Sequence, residues 1–185
     1  VNLYKEAAAD PQLRTELKDL YSLCPPRDRT RPVQPQGSVA FDEDFDAWTA
    51  PFIMAAINTR VVLRSNDLLD PPYHDNFLYD EATLTGKGSD GRSKARKTGR
   101  GLKVMTMVMA LPPLRWAALK FLPKPGEGPS EEEQRNGFYD LRFLGIAEDG
   151  RKIRTRVTGD RDPAYGSTAK MLAQAGLCLA TEIDK

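Results

Sequence analysis

The run Ser130-Glu-Glu-Glu-Gln-Arg-Asn-Gly-Phe-Tyr-Asp-Leu-Arg-Phe-Leu-Gly-Ile-Ala-Glu-Asp-Gly-Arg-Lys-Ile-Arg-Thr-Arg-Val157 decides the fold. Ser130 and Glu133 stand at capping-box spacing, which predicts a short acidic helix beginning there. Tyr139, Leu141 and Phe143 alternate with Asp140, Arg142 and Leu144. Beyond the Glu148-Asp149-Gly150 turn, Ile153, Thr155 and Val157 alternate with Lys152, Arg154 and Arg156. Period-two alternation on both sides of a turn predicts an antiparallel hairpin over 138–158, one face apolar and the other mostly basic. A Pro/Gly-rich run, Leu122-Pro-Lys-Pro-Gly-Glu-Gly-Pro129, precedes this unit. Asp160-Arg-Asp-Pro163 follows it, then Ser167 as an expected cap and an apolar-rich helix to about Thr181.

Outward from this β-β-α unit, Asp10-Pro11 predicts a helix start and Cys24-Pro25-Pro26 its end, with the helix reaching about Tyr21. Residues 25–46 hold four prolines and dense charge without periodicity, which predicts a long surface loop. Pro51 in a first turn predicts a helix over 51–69, with Ile53, Ala56, Ile57, Arg60 and Arg64 near one side and Asn58 beside the arginines, which either snorkel to solvent from a core helix or face a cleft. An arginine pair four residues apart suits a carboxylate or phosphate because the guanidinium fork binds such groups bidentately. Phe77 to Leu84 reads as a strand, and His74 falls in the loop before it.

Gly86-Lys-Gly-Ser-Asp-Gly91 matches the dinucleotide pattern by letter. The pattern also requires a helix opening at the glycines and an acid about twenty residues on. No Asp or Glu occurs from Arg92 to Gly126, so residues 86–101 are expected to be a flexible basic loop. Pro112-Pro113 then divides an apolar stretch over 102–122 into two short helices, each below the ~20 residues a membrane span needs. Ten Lys or Arg and one acid lie between Lys87 and Lys124, beside Met105, Met109 and Trp116; this pattern suits a lipid surface and equally a solvated loop before core helices.

Composition is that of an ordinary globular chain: 185 residues, 40% hydrophobic, 29% charged, net charge +1. The basic run lacks the interleaved aromatics of a single-strand nucleic-acid groove, so no nucleic-acid partner is expected. Two distant cysteines and one histidine supply neither a disulfide framework nor a metal cluster, and reduced thiols in an intracellular compartment are expected. No catalytic motif stands alone. The fold expected is a single α+β domain over 1–185, a mixed or antiparallel sheet with a C-terminal hairpin, covered by helices at 51–69 and 167–181.

Three segments in order carry a resemblance: Thr49-Ala-Pro-Phe-Ile-Met-Ala-Ala-Ile-Asn-Thr-Arg-Val-Val-Leu-Arg-Ser65, Leu122 to Arg135, and Gly159-Asp-Arg-Asp-Pro-Ala-Tyr-Gly-Ser-Thr-Ala-Lys-Met-Leu172. The chain resembles the saccharopine dehydrogenase-like oxidoreductases and, within them, the bacterial trans-acting enoyl reductases. The resemblance implies the second, substrate-facing and oligomer-forming portion of a reductase whose Rossmann domain binds NAD or NADP, with no cofactor held by this chain alone. It implies a parent that reduces an unsaturated acyl-lipid substrate, with Asn58, Arg60 and Arg64 toward substrate or interface and Tyr165 and Gly166 toward the cofactor. The partners expected are the missing Rossmann domain and a homo-oligomer or larger complex. The rival expectation is a noncatalytic lipid-surface or interaction module, cytoplasmic or peripherally membrane-associated, with Met105, Met109 and Trp116 as lipid contacts.

Overall fold

A computed structural model describes residues 6–7, 9–26, 30–69, 73–74, 76–121 and 126–182. The chain, expected as a single domain, divides into two compact units, 1–122 and 123–185. The prolines at 71, 72, 123 and 125 lie outside the described residues.

In the first unit, helix α1 (Pro11–Glu16) starts as Asp10-Pro11 predicts: the Asp10 carboxylate accepts from the amides of Gln12 and Leu13. It ends well before Tyr21. Two strands that the sequence did not signal follow, β1 (Ala40–Asp42) and β2 (Ala47–Pro51). Phe41 and Trp48 face each other edge-to-face across this pair, with ring centres 5.8 Å apart. Pro51 thus closes a strand, and helix α2 (Ala55–Leu68) begins four residues later. Strand β3 (Ala82–Gly86) covers only the end of the expected 77–84 strand and pairs antiparallel with β2, giving the order β1-β2-β3.

The largest correction lies at 86–101. Instead of a flexible loop, these residues enter helix α3 (Gly88–Ala110). Gly86 and Gly88 take φ of +104° and +61°, turning the chain from strand to helix where a side chain would be strained. Gly91, Ala95 and Gly99 recur every fourth residue and are buried, and with no bulk on this stripe α3 lies close on β2 and β3. A Cβ at Gly91 would stand 2.1 Å from the Gly86 carbonyl oxygen, and one at Gly99 would stand 2.9 Å from Val39. The Thr85 hydroxyl sits 3.0 Å from the Trp48 carbonyl oxygen and 2.9 Å from that of Gly91, tying strand to helix. Helix α4 (Pro112–Leu119) follows, with the double proline in its first turn.

In the second unit, helix α5 (Glu131–Asn136) opens with the full capping box: Glu133 N–H donates to Ser130 Oγ, and Ser130 N–H donates to Glu133 Oε2 at 2.8 Å. Strands β4 (Tyr139–Ile146) and β5 (Lys152–Gly159) form the expected hairpin as a separate two-stranded sheet. Leu141 faces Val157, and Arg142 faces Arg156, so the apolar and basic faces fall as the alternation predicts. Asp140 relieves the arginine pair, bonding Arg156 at 2.7 Å and Arg142 at 2.8 Å. Helix α6 (Gly166–Thr181) is not capped by Ser167, which is buried and donates to the Arg161 carbonyl. The Asp162 carboxylate takes that place, accepting from the amides of Ala164, Tyr165 and Gly166. Both cysteines are free.

The architecture is α+β with antiparallel sheets. Its apolar faces are poorly covered. Among the described residues only Ala47, Ala50, Leu63 and Ala95 are buried hydrophobics, and no large side chain is fully enclosed. Leu172 and Leu179 on α6, and Ile153 on the hairpin, remain about two-thirds exposed or more.

Candidate functional site

Asn58 occupies the second turn of α2, where the local pattern is an ordinary helix, and its position is given meaning by residues distant in sequence. Its amide donates to Glu81 Oε2 at 2.9 Å, and the Tyr79 hydroxyl donates to Glu81 Oε1 at 2.5 Å. Gln34 holds this segment, its Oε1 accepting from the Tyr79 amide at 2.9 Å while its Nε2 donates to the Phe77 carbonyl and the Tyr21 hydroxyl. Arg31 closes the network, stacking over the Tyr21 ring at 4.8 Å and pairing with Asp67 at 3.0 Å. The titrations follow from the partial burial of this network. Burial and then the hydrogen bond to Glu81 push the Tyr79 phenol well above its ordinary value. Burial likewise raises the Asp80 carboxyl, the Tyr21 phenol and the Cys24 thiol. Tyr79 therefore stays protonated across the neutral range and keeps its hydrogen bond to the Glu81 carboxylate.

Arg60 and Arg64 do continue one side of α2, but each bonds to backbone carbonyls. Arg60 reaches the carbonyls of Leu17, at 2.5 Å, and Asp19, at 3.3 Å, and that of Ala56 on its own helix. Arg64 donates to the Leu23 carbonyl. The pair holds the 17–23 segment, whose carbonyls past the end of α1 need partners. Asn58 is thus brought together with Tyr79 and Glu81, while the two arginines bind backbone.

A second feature lies along α3. Ser89, Arg92, Ser93, Arg96, Lys97 and Arg100, with Trp48 of β2, line an open groove of about 580 Å³. The helix does open at the glycines of the Gly86–Gly91 motif, contrary to the expectation of a loop. The rest of the dinucleotide arrangement is missing: β3 is antiparallel to its neighbour, and Asp90 sits in the first turn where a pyrophosphate would lie.

Tyr165 and Gly166 stand at the start of α6, and the amides a phosphate would use there are already bound by Asp162. Those amides, the Gly166 one foremost, hold the Asp162 carboxyl below its ordinary range, so a negative charge already occupies the helix end. These residues do not fit a dinucleotide pyrophosphate, and no cofactor step is assigned to them. The Tyr165 ring lies over Gly128, where a Cβ would come within 3.3 Å. Met105 and Trp116 are exposed on α3 and α4, and Met109 is half-buried. No group of metal-ligating side chains assembles among the described residues. His74 is an exposed loop residue with φ of +62°.

Sequence reasoning missed Tyr79, Glu81 and Gln34, which carry no local signal because they meet only in the tertiary structure. Asp162 was also missed, since Ser167 is read as the cap, although Asp-Pro ahead of a helix is the signature that identifies Asp10.

Comparison with characterised proteins finds the chain's relatives among the trans-acting enoyl reductases. A putative trans-acting enoyl reductase of Mycobacterium tuberculosis is 32% identical over 197 aligned residues, covering 97% of this chain and 45% of the relative. A trans-acting enoyl reductase of Mycobacterium bovis is 32% identical, covering 98% and 46%, and one of Mycobacterium ulcerans is 29% identical with the same coverage. The chain spans about half the length of the relatives it matches. No family model and no solved structure matches it.

Proposed function

We propose that this chain forms the substrate-facing part of a nicotinamide-dependent enoyl reductase acting on an unsaturated acyl substrate. The homology to trans-acting enoyl reductases along nearly the whole chain carries this reading. The open apolar faces of α6 and the hairpin accord with it, since such faces are ordinarily covered by further protein or by a ligand. The resemblance to saccharopine dehydrogenase-like enzymes and the choice of NAD or NADP belong to the same proposal, as does assembly with a Rossmann domain or into an oligomer.

Reduction of a double bond conjugated to a carbonyl adds a hydride at one carbon and a proton at the other. A nicotinamide bound by the rest of the protein would supply the hydride, and solvent the proton. On this chain, Asn58, Glu81 and Tyr79 are assigned to the polar end of the substrate: Asn58 fixes the Glu81 carboxylate, and Tyr79 holds its proton against it. Arg60 and Arg64 are assigned to positioning the 17–23 segment beside this cluster.

Isothermal titration of the chain with a medium-chain 2-enoyl thioester, and separately with NADH and NADPH, tests the reading. Thioester binding that weakens at least tenfold in Asn58→Ala, without dinucleotide binding, is expected. Tight dinucleotide binding by this chain, or failure to bind the thioester, would overturn it.

A further inference from the structure

Helix α3 has two dissimilar sides. Gly91, Ala95 and Gly99 face the sheet, whereas Arg92, Arg96, Arg100, Lys103 and Met107 recur at three- and four-residue steps as a separate stripe. At 1.5 Å per residue, the cations from Arg92 to Lys103 extend over roughly 16 Å. Lys87 pairs with Asp46, and Arg92 stacks over Trp48 at 5.2 Å. Among the described residues, none of Arg92, Arg96, Lys97, Arg100 and Lys103 has a carboxylate within ion-pairing distance. A row of unpaired cations is costly to bury against an apolar surface, so this side meets water or an anionic surface.

The same helix changes character at its C-terminal end. Val104 and Met107 are exposed, and the chain continues through Leu111 into α4, where Leu114 and Trp116 are exposed, and on to Phe121, which is 89% exposed. The Lys120 ammonium lies 3.6 Å from the centre of the Trp116 ring. Cations, then an exposed Trp and Phe with aliphatic side chains, form one run of α3 and α4, which pack on each other. No described helix is long and apolar enough to cross a bilayer. An acidic protein or a nucleic acid would engage the cations and leave Trp116 and Phe121 without a role, while the interface of an anionic bilayer takes both.

We propose that α3 and α4 form a docking surface for an anionic lipid bilayer, with Arg92, Arg96, Arg100 and Lys103 on the headgroups and Trp116 and Phe121 at the acyl boundary. This inference is independent of hydride transfer, and its test involves neither thioester nor dinucleotide. The chain is co-sedimented with phosphatidylcholine vesicles containing or lacking phosphatidylglycerol, at low and high salt. Binding to the anionic vesicles alone, lost at high salt, is expected, with a blue shift of Trp116 emission in a Trp48→Phe background. At about a tenfold gain for each 1.4 kcal/mol and about 1 kcal/mol per cation, Arg96→Gln/Arg100→Gln lowers the partition coefficient about 30-fold. Arg96→Lys/Arg100→Lys preserves it, and far-UV circular dichroism checks that each variant folds. Equal binding to neutral vesicles, no binding at low salt, or no effect of the two glutamines overturns the proposal.

Discussion

Replacing Gly91 with alanine tests the packing of α3 against β3. By helix propensity alone, alanine in place of an interior glycine stabilises by about 0.8–1 kcal/mol. At this position the new Cβ would stand 2.1 Å from the Gly86 carbonyl oxygen and 2.4 Å from its carbon, both backbone atoms that no rotamer change can move. The helix would have to retreat by on the order of 1 Å to restore van der Waals separation. That strains the Thr85 contacts to the Trp48 and Gly91 carbonyls. Overpacking costs about 1–3 kcal/mol, and against backbone atoms the upper part of that range, about 2–3 kcal/mol, applies, so after the propensity gain the net change is a destabilisation of about 1–2 kcal/mol. Gly101 on the same helix is the matched control, because nothing lies within 4 Å of a Cβ there. Gly101→Ala is expected to stabilise by about 0.5–1 kcal/mol. Both tryptophans, Trp48 and Trp116, belong to the first unit, so urea unfolding followed by tryptophan emission reports on it. With a slope of about 1–3 kcal/mol per molar, the two midpoints should move in opposite directions, Gly91→Ala downward by about 0.3–2 M. Equal shifts of the two variants, or stabilisation by Gly91→Ala, would show that α3 is not seated on the Gly86 turn.

Arg60→Gln removes guanidinium bonds to the Leu17 and Asp19 carbonyls, and is expected to cost about 1 kcal/mol and to speed amide exchange and proteolytic cleavage over residues 17–23. Unchanged exchange there would count against the clamp. Arg156, then Arg142, holds the Asp140 carboxyl down to about 2. Because the folded value lies below the unfolded one, this contribution to hairpin stability is present above about pH 4 and fades as pH falls toward 2. Nuclear magnetic resonance titration of Asp140 in Arg156→Gln should move its midpoint up toward the ordinary carboxylate value, and an unmoved midpoint would refute the assignment. Asp162, lowered by the amides of Gly166, Tyr165 and Ala164, likewise stabilises α6 above the ordinary carboxylate range and loses that effect as pH falls through its folded value. Asp162→Ala should lower the thermal midpoint of α6 helicity at neutral pH, while Asp162→Asn retains an acceptor and loses the acid dependence.

The candidate site shows how legibility depends on distance along the chain. Asn58 could be picked out because it shares a helix with two arginines, and its importance in the structure comes instead from Glu81 and Tyr79. Nothing in the spacing of Phe77 to Leu84 reveals that Tyr79 would be half-buried beside a carboxylate, since burial is set by what packs over it. The arginine pair was legible as a pair, but its partners are carbonyls of a segment some forty residues away, and a carbonyl is present at every position of a sequence.

What the sequence by itself determined are the features whose energy is local: the Asp10 cap, the Ser130–Glu133 capping box, the break at Pro112-Pro113 and the two faces of the hairpin. Each rests on groups within a few residues or on a strict period of two, so it can be read without knowing what lies nearby. Only the tertiary structure decided that residues 88–101 are helical. Their glycines, serines and threonine are weak helix formers and outweigh the favourable lysines and arginines, and the same small residues become favourable once β2 and β3 offer a surface that requires close approach. Strands β1 and β2 belong to the same class, for β1 lies in a charged stretch without periodicity and β2 ends on a proline that reads as a helix start, and each becomes a strand only when a partner supplies its hydrogen bonds.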